Sequence, residues 1–388
     1  MSIDLSIEKC FKYTYLEKSK QDEKSVFSGY LSALPKDFIY HYPPNIIWKL
    51  TSACNLRCKH CFYYTNKSMF NTQNDMTKEE ALNLAKYLVN ELNILSVLLT
   101  GGEAMLTPYF FDLLKYFKSK NICVNLFSNG TLITEEIADK LSLLLNPKYD
   151  NIQISLDGPN AKIHDITRGE GTFFKSINAI KLLNQKGLKT TVACTVTSEN
   201  VNSLEEFSQI YQNFGIKELR LGKYKVFSEE QAYLSPNPDD LFVNYAKLIK
   251  KNIPVSKSFF TAYDFLNYPL GEELFKKYNP PKKYGCNKLC HNHNKVFISA
   301  DAKLYLCTSS ETANLCIGDL RKESFEQIWA QRHNHPLFKP RVDFVCKKCQ
   351  YSKWCNAGCA ALACLNTGNS CNAPTECLYQ HKLEKVNV

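Results

Sequence analysis

TSACNLRCKHCFYY, residues 51–64, carries Cys54, Cys58 and Cys61 in the spacing C-x3-C-x2-C. Three thiolates on one short loop can each bind one iron of a four-iron cubane cluster, so one iron is left without a protein ligand. Electron-transfer clusters are usually closed by a fourth cysteine. A loop with only three therefore indicates an iron that is kept open for a substrate or cosubstrate.

A zinc loop or a set of buried structural thiols is the alternative for this stretch. Zinc usually takes four ligands, often in paired C-x2-C units. Structural thiols pack like small hydrophobic side chains, whereas Asn55, Arg57, Lys59 and His60 make this loop polar. We therefore expect a cluster site here.

The composition is that of a globular protein. The chain has 388 residues, 44% of them hydrophobic, which is enough for two or three units with their own cores. The first residues contain no apolar run, and no stretch approaches the roughly 20 apolar residues of a membrane span. Without a secretory signal, the 17 cysteines indicate metal binding in a reducing cytoplasm rather than disulfides.

The formal net charge of +10 favours an acidic partner, and nucleic acid is the first candidate. Lysine and arginine are spread along the chain without a basic tail. Metal-bound cysteinates would also offset part of the excess, because the thiols are deprotonated on binding. We therefore expect no nucleic acid partner, and an acidic peptide fits the same charge.

Six apolar runs alternate with helix-forming segments from residue 45 onward. The runs predicted to be buried strands are 45–50, 94–100, 122–127, 151–156, 189–196 and 217–222. Strands that alternate with helices through short loops predict a parallel sheet wound as an α/β barrel. The polar residues that follow the strands would then meet at one end of the barrel, where barrel active sites lie.

Helix starts are also predicted by local signals. Thr77 and Glu80 form a capping box for a helix that extends to about residue 92, and Ser203 and Glu206 form a second box. Pro108 is expected at the first position of the helix that follows the second strand.

The cysteine loop, with the aromatic His60 before its last cysteine, resembles the signature of the radical S-adenosylmethionine (radical SAM) superfamily. The resemblance implies a TIM-like partial barrel, (β/α)6, and a [4Fe–4S] cluster whose open iron chelates SAM. Reductive cleavage then gives methionine and a 5'-deoxyadenosyl radical, which abstracts a hydrogen atom from the substrate. His60 and Phe62, on either side of Cys61, are expected to contact the cofactor.

The turn after the second strand also resembles a SAM-binding part of that family. Gly101, Gly102 and Glu103 resemble the GGE segment that contacts the SAM amino group, with Ala104 in place of the proline often found next. An ordinary turn is the alternative, since glycine supplies an open backbone between a strand and a helix.

Five further positions complete the expected SAM site. Ser128 and Asn129 resemble residues that contact SAM, and Ser155 and Arg168 resemble a pair that binds its carboxylate. Arginine suits a carboxylate because its guanidinium fork can bind both oxygens. Asp157 is included with them, although a turn residue before a glycine is the alternative for it.

The C-terminal third resembles the SPASM domain of peptide and sulfatase maturases. That domain holds two auxiliary Fe–S clusters, expected to be [4Fe–4S], and Ala302 takes the place of a usual glycine. By the resemblance, the first cluster has the ligands Cys286, Cys290, Cys307 and Cys359, and the second has Cys346, Cys349, Cys355 and Cys377. Cys364 and Cys371 compete for the last position. Two zinc sites are the alternative, because soft thiolates bind either metal.

The chain thus divides into an N-terminal cap (1–44), the barrel (45–222), a bridging segment (223–285) and the SPASM domain (286–388). The cap is shorter than the leader-binding winged-helix domain of many peptide-modifying members, so any leader-binding protein is expected to be separate. The bridging segment holds aromatic residues that we expect in the core, namely Phe259, Phe260, Tyr263, Phe265 and Tyr268.

The resemblance predicts a radical SAM oxidoreductase of the cytoplasm that forms a thioether or carbon–carbon crosslink, or a related oxidation, in a ribosomally made peptide. Flavodoxin or ferredoxin is the expected electron donor. Haem-pathway enzymes, maturases of peptide-derived cofactors and sulfatase maturases share the layout. The sulfatase maturases that resemble this chain carry an acidic base just after the cysteine aligned with Cys307, and Thr308 stands there instead.

A zinc-stabilised nucleic-acid-binding protein is the alternative from another class of protein. Such a protein would be colourless and would ignore SAM. An Fe–S protein purified without oxygen absorbs broadly near ~400 nm.

Overall fold

The computed structural model describes residues 2–15, 42–65, 71–256, 265, 270–279, 295–338 and 359–369. The cysteines outside these ranges are Cys286, Cys290, Cys346, Cys349, Cys355, Cys371 and Cys377. Four aromatic residues of the bridging segment also lie outside them, namely Phe259, Phe260, Tyr263 and Tyr268. No helix in the described part of the chain is long and apolar enough to cross a membrane.

Six parallel strands form the centre of the fold, each within a residue or two of its predicted position. They are β1 (Asn45–Lys49), β2 (Ser96–Thr100), β3 (Cys123–Ser128), β4 (Asn151–Ser155), β5 (Thr191–Val196) and β6 (Glu218–Lys223). Each strand pairs in parallel with the next along the chain. Strands β1 and β6 do not pair with each other in the described sheet, so the barrel is partial, as predicted.

Thirteen α-helices accompany the sheet in the described ranges. They are α1 (Ile3–Tyr15), α2 (Phe62–Thr65), α3 (Lys78–Asn90), α4 (Phe110–Ser119), α5 (Glu135–Leu144), α6 (Ala161–Arg168), α7 (Thr172–Gln185), α8 (Phe207–Phe214), α9 (Pro238–Ile249), α10 (Gly271–Tyr278), α11 (Thr308–Thr312), α12 (Phe325–Gln331) and α13 (Ala360–Thr367).

The core lies between these helices and the sheet. Parallel strands are covered on both faces, which is why they appear in the sequence as nearly continuous apolar runs. Trp48 of β1 is fully buried, and its ring lies 6.3 Å from that of Phe117 on α4. Val124 and Leu126 of β3 and Ile154 of β4 are buried with them.

One predicted helix start is confirmed and two are wrong. The Thr77 hydroxyl accepts from the Glu80 N–H at 3.2 Å, and the Glu80 carboxylate accepts from the Thr77 N–H at 2.7 Å, as a capping box requires. The helix expected at Pro108 begins at Phe110, because residues 104–106 form a 3-10 turn first. Ser203 lies within a 3-10 helix and donates to the Asn200 carbonyl at 2.9 Å instead of capping α8.

The predicted cap and bridging segment share one core. Helix α1 packs against α9 and α10. The Phe11 ring lies 5.2 Å from that of Phe265 and 5.0 Å from that of Phe275, both at edge-on angles. Phe265 is fully buried, as expected for a core residue.

Three strands that the sequence did not predict extend the sheet beyond β1. Strand β7 (Lys295–Ile298) pairs in parallel with β1, and β8 (Lys303–Tyr305) and β9 (Gly318–Asp319) follow as antiparallel strands. Part of the predicted C-terminal domain therefore continues the barrel sheet. Ala302, in the turn between β7 and β8, has a φ of 62°, a left-handed conformation that glycine adopts without strain.

Candidate active site

A cavity of about 450 Å³ lies at the carboxyl ends of the parallel strands. Of the thirteen barrel residues predicted to bind iron or SAM, the twelve that line it are Cys54, Cys58, Cys61, His60, Phe62, Gly101, Gly102, Glu103, Ser128, Asn129, Ser155 and Arg168. Asp157 does not line the cavity. The fold therefore brings together residues that are more than 100 positions apart in the chain.

The cysteine loop is held by backbone and side-chain contacts to two parts of the barrel and to the bridging segment. The Thr51 hydroxyl donates to the Asp75 carboxylate at 2.6 Å. The Lys59 N–H donates to the Thr167 carbonyl at 2.8 Å, and the Lys59 carbonyl accepts from the Gln231 amide at 2.6 Å. These contacts fix the loop that carries the cysteines without using the thiols.

The three thiols are partly withdrawn from solvent. Cys58 is buried, and Cys54 and Cys61 are half-buried. Burial raises the pKa of Cys58 to about 11 and also raises the pKa of Cys54. Metal binding needs thiolates, so loading this site releases protons.

The residues present fit a cubane cluster. All three thiols reach one cavity, and soft thiolates are the ligands of Fe–S clusters. No three His, Cys, Asp or Glu side chains in the described ranges converge closely enough to hold a single metal ion. Each cysteine of a cubane binds a different iron, so the thiols need not converge on one point. The ten cysteines in the described ranges form no disulfide.

The turn after β2 approaches the cysteine loop at backbone distance. The Gly102 N–H donates to the Thr51 carbonyl at 2.9 Å, and the Glu103 N–H donates to the Ala53 carbonyl at 2.8 Å. A Cβ atom on Gly102 would lie 2.2 Å from the Ala53 oxygen. The position therefore requires glycine because of close packing, not because of an unusual φ.

Glu103 connects this turn to the next strand. Its carboxylate is 1% exposed and accepts from the Asn129 N–H at 2.8 Å. Burial raises the pKa of Glu103 to about 7, against the lowering effect of that hydrogen bond. The Asn129 side-chain amide donates to the Asn55 side chain at 2.9 Å. Because Asn55 lies in the cysteine loop, Asn129 connects Glu103 to that loop.

Asp157 lies behind the cavity wall, 1% exposed, and orients Arg168. Asp157 Oδ2 accepts from Arg168 Nε at 2.5 Å, and Asp157 Oδ1 accepts from the Thr195 N–H at 2.8 Å. Burial favours a higher pKa for Asp157, but the charge of Arg168 outweighs burial and lowers the pKa. Asp157 is not among the residues that line the cavity, and each of its carboxylate oxygens already accepts a hydrogen bond, so its contact with SAM stays a prediction.

His60 lines the cavity as an uncharged side chain. Burial lowers the pKa of His60 to about 4 despite the nearby Asp157 carboxylate, so their 3.3 Å contact is not a salt bridge at neutral pH. Its Nδ1 is buried and has no hydrogen-bond partner among the described residues. Such an unsatisfied nitrogen beside a cavity can accept a hydrogen bond from a ligand.

Several lining residues were missed by the sequence analysis. They are Leu56, Tyr63, Thr100, Phe127, Gln153, Thr195, Lys223, Tyr224, Lys225, Phe227, Thr308 and Ser309. Thr195 and Lys223 lie at the ends of predicted strands, so the rule that barrel sites form there could have identified them. Thr308 and Ser309 come from α11. The resemblance to sulfatase maturases set Thr308 in the position of an acidic base, but no signal in the sequence indicated Ser309.

Two predicted ligands of the first auxiliary cluster lie in the described ranges. Cys307 immediately precedes α11 and Cys359 immediately precedes α13, and these two helices pack against each other. Both thiols are half-buried. The other predicted ligands of the auxiliary clusters lie outside the described residues.

Comparison with protein families gives two matches. Residues 48–209 match the radical SAM superfamily, and residues 286–357 match SPASM, an iron–sulfur cluster-binding domain. These matches favour iron–sulfur clusters over the zinc alternative.

Several characterised proteins are similar in sequence. The mycofactocin maturase MftC of Mycobacterium tuberculosis is 27% identical over 353 residues, which cover 87% of this chain and 84% of the maturase. The AdoMet-dependent heme synthase of Methanosarcina barkeri is 26% identical, covering 87% and 97%. The cysteine-type anaerobic sulfatase-maturating enzyme of Clostridium perfringens is 26% identical, covering 81% and 88%.

Two solved structures share the fold. Streptococcus suis SuiB bound to precursor peptide SuiA aligns with a TM-score of 0.67 at 16% identity, covering 87% of this chain and 76% of SuiB. The enzyme anSMEcpe with bound AdoMet aligns with a TM-score of 0.65 at 21% identity, covering 88% and 96%. The family matches show that the chain carries a radical SAM domain at residues 48–209 and a SPASM domain at residues 286–357, and its cofactors are SAM and [4Fe–4S] clusters.

Proposed function

We propose that this protein is a maturase that modifies a ribosomally made peptide and forms a thioether or carbon–carbon crosslink in it. The observation that carries the proposal is the cavity, which combines the predicted SAM residues with two residues that directly follow Cys307. The names of two relatives support a peptide, since one is a mycofactocin maturase and another was solved with a precursor peptide.

Cys54, Cys58 and Cys61 would hold the cluster to which SAM binds. When bound, these groups supply a 5'-deoxyadenosyl radical that takes a hydrogen atom from the substrate, and the auxiliary clusters supply an acceptor for the electron released when a bond forms. We assign the auxiliary ligands as the resemblance to the SPASM domain implies, with Cys307 and Cys359 in one set. The packing of the helices after these two cysteines supports that assignment.

The other lining residues would bind and orient SAM. Arg168 stays charged, because Asp157 raises its pKa against the effect of burial, and its guanidinium can bind the SAM carboxylate beside Ser155. Gly101 and Gly102 line the cavity, so the turn that they form would face the amino group of SAM. These groups are fixed before SAM arrives, which reduces the entropy lost on binding.

The rim of the cavity favours an anionic substrate. Lys223 and Lys225 line it and are exposed. The carboxylate that lines the cavity, Glu103, is buried and already accepts backbone hydrogen bonds. An acidic stretch of a peptide would be attracted to this rim, which speeds encounter more than it tightens binding.

The position of Thr308 argues against sulfatase maturation. It lines the cavity directly after Cys307, where the similar sulfatase maturases place an acidic base. A hydroxyl group cannot take a proton from the substrate as a carboxylate does. Haem chemistry remains the second candidate, because the heme synthase match covers 97% of that relative and a porphyrin also carries carboxylates.

The test is an anaerobic reaction of reduced enzyme, SAM and a short peptide encoded beside its gene, with and without a separate leader-binding protein. We expect brown protein and a peptide product two hydrogen atoms lighter, formed together with 5'-deoxyadenosine. Turnover of a porphyrin, with every neighbouring peptide unchanged, would show that the peptide substrate is wrong.

A further inference from the structure

A buried carboxylate joins the C-terminal part of the chain to the cysteine loop. Glu311 on α11 is 7% exposed. Its Oε1 lies 2.9 Å from Nζ of Lys49, the last residue of β1, and its Oε2 accepts from the Tyr63 hydroxyl at 2.6 Å. Lys49 Nζ also lies 4.0 Å from the centre of the Tyr63 ring. We call these three residues the Glu311 clamp.

Stability alone does not explain the Glu311 clamp. A buried ion pair gives up the hydration of both charges, and apolar side chains of similar volume are often as stabilising. What such a pair can add is a fixed geometry, because its hydrogen bonds are satisfied in one arrangement only. Each member of the clamp is paired, so the arrangement is well defined.

The two parts that the clamp connects both carry proposed cluster ligands. Tyr63 follows Cys61 by two residues on α2, and Lys49 leads from β1 into the cysteine loop. Glu311 lies in the short helix that begins after Cys307, and the first residues of that helix line the cavity. The clamp therefore holds one cluster loop directly against the other.

We propose that Glu311 is a positioning residue that fixes the helix after Cys307 against the loop of Cys54, Cys58 and Cys61. In this way it sets the separation of the radical SAM cluster from the first auxiliary cluster. The proposal rests on the cluster ligands assigned under the proposed function. It adds a residue that binds neither cluster nor SAM.

The test uses full-length protein reconstituted with iron and sulfide without oxygen and reduced with dithionite. The first measurement is the spin–spin interaction between reduced clusters in the electron paramagnetic resonance spectrum, which needs no substrate. We expect Glu311→Gln, which keeps the shape but loses the charge, to retain the iron content of the wild type and to change this interaction. The second measurement is peptide product formed per 5'-deoxyadenosine, which should fall by up to about 100-fold, because a misplacement near 1 Å can cost that much.

Glu80→Gln is the matched control, because Glu80 also pairs a barrel helix with the C-terminal part, through Arg321 at 2.8 Å, but with a side chain that is 39% exposed. Its spectrum should equal that of the wild type. If Glu311→Gln loses its iron, Tyr63→Phe removes one hydrogen bond and takes its place in the test.

A Glu311→Gln spectrum that overlays the wild type would overturn the proposal, even if the variant melts at a lower temperature. A wild-type spectrum without interaction between clusters would overturn it as well. If no peptide is modified but the variant changes the spectrum, the proposed function fails and the clamp stands.

Discussion

Gly102 and Ala53 approach each other so closely that a Cβ atom on Gly102 would lie 2.2 Å from the Ala53 carbonyl oxygen. The atom it would meet belongs to the backbone, which cannot rotate away as a flexible side chain can. The two hydrogen bonds from the Gly102 and Glu103 N–H groups hold the same contact. The cysteine loop and the turn after β2 therefore form one rigid unit.

Gly102→Ala should push the turn after β2 away from the cysteine loop. We expect loss of SAM cleavage by more than about 100-fold, because displacements near 1 Å have effects of that size. The control is Gly222→Ala at the end of β6, where the nearest atom would be 3.9 Å away and activity should stay near that of the wild type. The measurement is 5'-deoxyadenosine formed with dithionite. Equal activity in Gly102→Ala and wild type would contradict the packing argument.

Replacing Cys54, Cys58 or Cys61 by Ala should stop SAM cleavage, because a site with three protein ligands cannot lose one and keep its cluster. The auxiliary clusters should retain much of the iron. Cys123→Ala is the control, since this half-buried thiol donates to the Tyr149 carbonyl outside the cavity. Iron content and 5'-deoxyadenosine are measured together. A triple variant that still forms 5'-deoxyadenosine would refute the assignment.

Replacing Lys223 and Lys225 by Ala should weaken the encounter with an anionic substrate. We expect KM for an acidic peptide to rise about tenfold at low salt, with kcat nearly unchanged, and the difference to shrink as salt is added. Arg220→Ala on the same strand is the control, because its guanidinium pairs with Glu218 and does not line the cavity. A fall in kcat alone would indicate a different role for the lysines.

Ala302→Gly should stabilise the protein by about 1 kcal/mol, because alanine at a φ of 62° carries the strain of the left-handed region. Ala300→Gly in the same turn is the control. Ala300 is 2% exposed and is not among the residues with positive φ, so glycine there should destabilise. Thermal unfolding of the three proteins compares the effects. A lower melting temperature for Ala302→Gly would show that its buried methyl group matters more than the strain.

Acid should destabilise the protein partly through His164. Its Nδ1 accepts from the Asp157 N–H at 3.0 Å, and burial lowers the pKa of His164 from 6.5 to about 4. The unfolded chain therefore binds more protons, so this stability is present above pH 6.5 and is lost as the pH falls towards 4. The loss between pH 7 and pH 5 should be about 2 kcal/mol.

The matched variant for this test is His164→Gln, which can accept the same hydrogen bond but does not titrate. Unfolding of both proteins at pH 7 and pH 5 gives the difference, and acid effects on the clusters cancel in the comparison. Identical pH dependence in the two proteins would exclude His164 as the source.

The sequence by itself determined the six strands, and its resemblance to a known family implied the partial barrel and twelve of the residues that line the cavity. It could do so because these signals are local. A buried parallel strand appears as an apolar run, and the residues after it must lie at one end of the barrel. The cysteine loop is local as well, since its three ligands lie within eight residues.

Only the tertiary structure decided which residues reach the site from a distance. Asp157 sits after a strand like its neighbours, but its carboxylate turns inward because the buried Arg168 needs a counter-charge. Strand β7 pairs with β1 across about 250 positions of the chain, and Glu311 contacts Lys49 across 262 positions. No periodicity or spacing records such pairings, because they depend on how the C-terminal part packs against β1.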